Sequence, residues 1–189
     1  MSNITNKIIK NATWGKTILS AVLFLTFLLL INVSGIGVAG LLRITDGVNI
    51  LDFEFGYTYE QAYDILTAMG AEGRSFYLTR IVPLDFPFPF SYMLFYTGCI
   101  AILIKKSACN ITSIHRYIFL VPLLAMIFDW IENIGIIVML NNYPYLPGWA
   151  VILSSISGMF KMVFIVLNIV VIGILLVISV FSSKNRRAV

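Results

Sequence analysis

Residues 117–141 read YIFLVPLLAMIFDWIENIGIIVMLN, an apolar run long enough to cross a bilayer, yet Asp129 and Glu132 stand near its middle. An ionised carboxylate at that depth costs at least ~2.5 kcal/mol, so such residues face the interior of a helix bundle and have a partner or a task. The chain is expected to fold around a polar site inside a membrane protein.

Composition agrees. Of 189 residues 59% are hydrophobic and 12% charged, against about 25% charged in soluble domains, and the mean hydropathy is +0.93. The net charge of +4 sits on basic residues beside apolar runs, which indicates membrane orientation and no nucleic-acid partner. Cys99 and Cys109 form no CxxC motif and His115 is the only histidine, so neither a metal set nor a cofactor is spelled out. Both thiols are read as structural. The pattern also speaks against quinone-linked thiol oxidoreductases, which need paired cysteines.

The fold class expected is an all-α integral membrane protein: a four-transmembrane-helix bundle with a short amphipathic helix in its first outer segment. It forms a single membrane domain over 1–189, with spans at about 17–42, 84–104, 117–141 and 149–181. The first run is too long for a signal-peptide core, so it is read as a retained helix. Gly35 and Ala39 offer a small-xxx-small contact to a neighbouring helix, with Asn32 placed to hydrogen-bond across it. The outer segment, 43–83, is the most acidic stretch. Thr58 and Gln61 make a capping box, and Tyr59, Ala62, Tyr63, Leu66 and Met69 repeat at helical spacing. A helix over 59–69 is predicted, and with Glu60 and Asp64 on its polar face it suits a lid on the bundle better than a membrane-surface anchor.

Pro83, Pro87 and Pro89 predict a kinked or unwound start to the second span. If helical phase survives them, Asp85, Tyr92, Tyr96 and Cys99 share a face. Pro122 predicts a kink ahead of Asp129. Residues 1–16, 105–116 and 182–189 each hold three Lys or Arg, all on one side of a four-span chain. Both termini are then expected to be cytoplasmic, with the plasma membrane the expected location. The Asn-x-Ser/Thr matches at Asn3, Asn11 and Asn110 fall on that same side and are read as chance. Trp14, Tyr143, Tyr145 and Trp149 read as interfacial belts, Phe86, Phe88 and Phe90 as packing, and Trp130 as facing lipid or another subunit.

Asp129, Glu132 and Asn133 share one face of the third span; Ser154, Ser157, Gly158, Lys161 and Asn168 share one face of the fourth. In an antiparallel hairpin turning near Tyr145, paired positions sum to about 290, which sets Lys161 level with Asp129. An ion pair between Lys161 and Asp129 or Glu132 is predicted. The surplus acid calls for a protonated carboxyl, a bound cation, or Arg80 reaching down from the proline-rich segment. The candidate catalytic residues are Asp129 and Glu132; the candidate ligand-binding residues are Lys161, Asp85, Arg80, Tyr92, Asn133 and Ser157.

Four spans with an acidic, helical first outer segment, and acid, proline and Phe ahead of Tyr over 85–96, are similar to the plan of sterol-isomerase and sigma-2-receptor type membrane bundles. That resemblance implies intramembrane acids facing a cationic or carbocation-like ligand. It covers topology and carries no residue-by-residue motif. The expected function is an outward-opening polar pocket that binds a lipid-like or small amphipathic molecule, with acid/base chemistry as an extension and membrane lipid as its surroundings. The alternatives are a small transporter or proton pathway, which a homo-oligomer around the charged faces would favour, and an accessory subunit whose buried charges only fix helix register.

Overall fold

The computed structural model describes residues 2–107 and 117–187, with side chains over 4–107 and 117–182. Expectations attached to Cys109, Asn110, His115 and Arg116, to the side chain of Asn3 and to the basic side chains of 184–187 lie outside the described residues. The described chain is all-helical: α1 (Ser2–Asn11), α2 (Trp14–Asn32), α3 (Val38–Ile44), α4 (Tyr59–Ala68), α5 (Gly70–Phe76), α6 (Val82–Asp85), α7 (Pro87–Ser107), α8 (Leu120–Asn142) and α9 (Gly148–Arg187). Four helical stretches are long and apolar enough to cross a membrane: Trp14–Asn32, Gly70–Ser107, Leu120–Asn142 and Gly148–Ser182. The composition and these stretches together make it an integral membrane protein.

Burial separates the four. Half of the apolar window is buried in the stretch containing α7 and in α8, but only 17% in α2 and α9. Leu19, Leu25, Ile152, Val166 and Ile169 accordingly point outward, as suits helices whose solvent is hydrocarbon. α7 is central: α2 packs on one flank, while α8 and α9 pair as a hairpin on the other.

That hairpin closes on small residues. A Cβ at Gly135 would meet the Ser154 side chain at 2.6 Å and the Ala150 carbonyl at 3.0 Å, and one at Gly158 would run into the Glu132 carboxylate. Backbones that approach this closely draw their attraction from van der Waals contact, the main source of helix association in lipid.

Several boundaries differ from those expected. The first long helix stops at Asn32 rather than running to Leu42, because Gly37 and Gly40 allow α3 to fold back onto its end. Side chains there would strike the carbonyls of Leu30, Ile31 and Gly35, whereas Gly35 itself has open space. The close approach is thus local, and Asn32 spends its amide on the Leu28 carbonyl of its own helix, at 2.9 Å. Residues 2–11 are no polar tail: α1 buries Ile9 against Ile100, Leu103, Ile104, Phe119 and Leu175, and Lys105 donates to the Lys10 and Ala12 carbonyls at 2.9 and 2.6 Å. A lysine at a helix C-terminus satisfies orphan carbonyls and complements the dipole. Pro122 falls in the first turn of α8, where its missing N–H costs no hydrogen bond, and the helical residues 117 and 118 precede that turn across a break at Phe119.

The prolines ahead of α7 do not unwind the chain. One wide turn, Tyr77–Ile81, absorbs the mismatch, with the Val82 N–H reaching back five residues to the Tyr77 carbonyl. The capping box of α4 is formed, and the helix buries Ala62 and Leu66 over the acidic end of the bundle. Arg74 stacks over Tyr143 at 3.7 Å, Tyr63 lies 5.7 Å from the same ring, and Tyr143 bonds Thr67 at 3.0 Å. Tyr143, half-buried, is therefore a clamp between the α8–α9 turn and α4–α5. Trp130, expected to face away from the bundle, donates its indole N–H to the Phe86 carbonyl at 2.9 Å.

Gly135→Ala should lower stability by ~1–3 kcal/mol through overpacking, read from thermal unfolding in detergent. Gly173→Ala, where a Cβ meets nothing within 4 Å, should cost nothing.

Candidate functional site

The α8–α9 hairpin brings the charged side chains together. Lys161 Nζ lies 3.8 Å from Asp129 Oδ1, in direct contact with Glu132 Oε2, and 3.8 Å from Asp52 Oδ1. Tyr92 of α7 donates its hydroxyl to Asp129 Oδ2 at 2.9 Å. Asn133 donates to Asp129 Oδ1 at 3.4 Å. Asp129, Glu132, Asn133 and Ser157 are all at most 2% exposed. One face of α9 supplies Ser154, whose hydroxyl bonds the Glu132 carbonyl at 2.9 Å, then Ser157, Gly158 and Lys161. Asn168 is buried on the same face and, among the described residues, bonds only its own helix, at 2.8 Å to the Phe164 carbonyl.

Asp52 belongs to the cluster although it sits in a connecting segment. Asp46 and Gly47 turn the chain after α3 with positive φ, and Ile50 and Leu51 then bury themselves in the core. A short 3₁₀ turn, Leu51–Phe53, points Asp52 inward, where Tyr77 donates its hydroxyl to the carboxylate. Downstream, the Tyr57 N–H bonds Ser155 Oγ at 2.8 Å and ties the segment to α9. Burial pushes the Tyr57 hydroxyl well above the ordinary tyrosine range, with the Glu132 and Asp52 charges acting in the same direction. It stays neutral throughout the physiological range.

Arg80 is exposed on the wide turn and does not reach the cluster. Asp85 is buried on the same side as Tyr77 and Ile81, while Arg80 points outward. Arg74 is also spent elsewhere, on Tyr143 and on the Leu66 carbonyl at 2.7 Å. Among the described residues Lys161 is the only cation at the cluster, facing Asp52, Asp129 and Glu132 directly with Asp85 close by. The helix 59–68 covers this end of the bundle, but the segment that touches the charges is 51–57.

A cavity of about 200 Å³ opens beside the charges, between α2 and α9. Leu28, Ile31, Ile81, Phe88 and Ile165 make its apolar wall, and Asp52, Asp85, Asp129 and Lys161 its polar one. Phe88 is wedged against Phe24 and Tyr92, with ring centroids at 5.7 and 5.4 Å. Glu132 Oε1 and Asn133 Oδ1 are buried without a hydrogen-bond partner among the described residues. No group of histidine, cysteine and acidic residues suited to a metal ion occurs among the described residues.

Tyr96 is buried one turn beyond Tyr92, and the half-buried Cys99 is a free thiol. Asp52 is the residue that spacing arguments miss. Its one sequence signal is an acid flanked by apolar residues, in ILDF, inside an otherwise polar segment.

Removing the single cation should leave buried carboxylates uncompensated. Lys161→Met is expected to cost ~3–5 kcal/mol in thermal unfolding, and adding Glu132→Leu should restore part of that loss. The chain matches no protein-family model, no curated protein and no solved structure.

Proposed function

We propose that this chain is a four-span bundle, with both termini cytoplasmic in the plasma membrane, that binds the polar end of a lipid-like amphipathic molecule in the cavity between α2 and α9. The observation that carries this reading is the cavity's composition: an apolar wall on one side, and Asp52, Asp85, Asp129 and Lys161 on the other. Lys161 is the counter-ion that makes the cluster tolerable, and four acids against one lysine make a cationic head group the complementary ligand. At about 200 Å³ the space is below the ~300 Å³ at which drug-sized pockets begin. It holds a head group and a few carbons, while the remaining chain lies along α2 in the lipid. Asp129, positioned by Tyr92 and Asn133, lines the cavity and is the group to exchange a proton with a bound molecule, while Glu132 stands behind it as the partner of Lys161.

The rival reading makes the charges a register device and nothing more. The close seating of Glu132 on Gly158 favours it, since that contact alone fixes how α8 slides on α9.

Native mass spectrometry of the detergent-solubilised protein separates the two, with a long-chain alkylammonium and the matching alcohol as probes. The expected result is an alkylammonium adduct, no alcohol adduct, and at least tenfold weaker retention in Asp129→Asn and Glu132→Gln at unchanged melting temperature. Equal retention of both probes, or variants that bind as wild type does, would overturn ligand binding. Loss of melting temperature without any adduct in the wild type would establish the register reading.

A further inference from the structure

A second cavity, about 270 Å³, lies at the opposite end of the bundle, bounded by α1, α2 and α7. Its wall is formed by Ile8, Leu94 and Ala101, with Thr17 and Thr97 inside and Lys16 at the rim. It shares no residue with the cavity beside Lys161. A side chain at Gly98 would meet Thr17 Oγ1 at 2.7 Å, so α2 and α7 converge there and the cavity is a groove that narrows between them.

The charge around this groove is of one sign. Lys7, Lys10, Lys16, Lys105 and Lys106 gather at this end, and the sequence holds no Asp or Glu before Asp46, between Asp85 and Asp129, or after Glu132. Two of these lysines are already committed: Lys105 caps α1, and Lys106 sits over the Trp14 ring at 4.8 Å. Among the described residues the Lys16 ammonium is held only by the Asn11 carbonyl, at 3.3 Å, in an exposed position. Its ammonium keeps donors to spare.

We propose that this groove is a binding site for an anionic phospholipid, its phosphate on Lys16 and the Asn11 side chain and one acyl chain lying along Leu94 and Ala101 between α2 and α7. An anionic phosphate is selected because the end is basic and free of acid. A lipid is selected because the groove is lined mainly by apolar atoms and stands against two helices whose outward faces are themselves apolar. Basic pockets between membrane helices select head groups in this manner.

The test uses the full chain in detergent with equal amounts of phosphatidylglycerol and phosphatidylcholine of identical acyl chains, read by native mass spectrometry. Wild type should retain phosphatidylglycerol in excess. Lys16→Gln should reduce that excess about fivefold, and Leu94→Trp, which fills the groove from its half-open rim, should remove the bound lipid of either kind. Circular dichroism checks that both variants remain helical, and a second pair, Arg43→Gln and Leu19→Trp, changes charge and bulk away from the groove and should leave the excess unchanged. Equal retention of the two lipids by wild type, or an excess that survives both Lys16→Gln and Leu94→Trp, would overturn the proposal. So would displacement of the lipid by millimolar inorganic phosphate, which would mark a site for the free anion. None of these outcomes bears on the Lys161 cavity.

Discussion

Everything near the middle of this molecule is arranged about one ammonium group. A lysine withdrawn from water loses several kcal/mol of hydration, and only close carboxylates with their own hydrogen bonds recover it. Lys161 has three acids within contact range, delivered by two elements that otherwise share little. α8 supplies Asp129 and Glu132 from one helical face, while Asp52 arrives on a connecting segment anchored by Tyr77 and Tyr57. Glycines and serines on α8 and α9 let the backbones close, and the wide turn before α6 sets which side of the next helix faces inward.

How much of this could be read from the sequence depended on what kind of order each part obeys. The α8–α9 face was legible because helical spacing and a short turn leave almost no freedom: Asp129, Glu132, Asn133, Ser154, Ser157 and Lys161 follow from arithmetic on residue numbers. The capping box of α4 was legible for the same reason, being a local pattern. Asp52 was not, since its place rests on a left-handed turn at Asp46 and Gly47 and on a bond from the Tyr57 backbone to Ser155, neither of which has a period. Arg80 was misplaced because a segment expected to be kinked or unwound at the prolines is helical, and its wide turn leaves the arginine exposed. The amphipathic α1 went unread because ten mostly polar residues show no long apolar run; Thr5, Ile8, Ile9 and Ala12, spaced for one face, were its signal.

The molecule is also polar along its length. Its nine acids lie between Asp46 and Glu132, and those outside the cluster occupy the end covered by α4 and α5. The opposite end is basic and is tied together by lysines acting on helix termini and an indole ring. Aromatic packing of Phe24, Phe88, Tyr92 and Tyr96 fills the space between. The charges are thus separated along the molecule, acidic at one end and basic at the other, with the Lys161 cluster buried between them.

The wide turn at Tyr77–Ile81 has a consequence for how such a chain can change over time. Each residue added to or removed from a helix advances it by ~100°. Here the two sides of the turn are committed to different partners, Tyr77 to Asp52 and Tyr92 to Asp129. A substitution in this stretch alters one contact, whereas a single-residue insertion or deletion turns a whole wall of the bundle to lipid. A change of length between Tyr77 and Tyr92 would therefore break one of these two contacts, whichever of them the rest of the fold held in place.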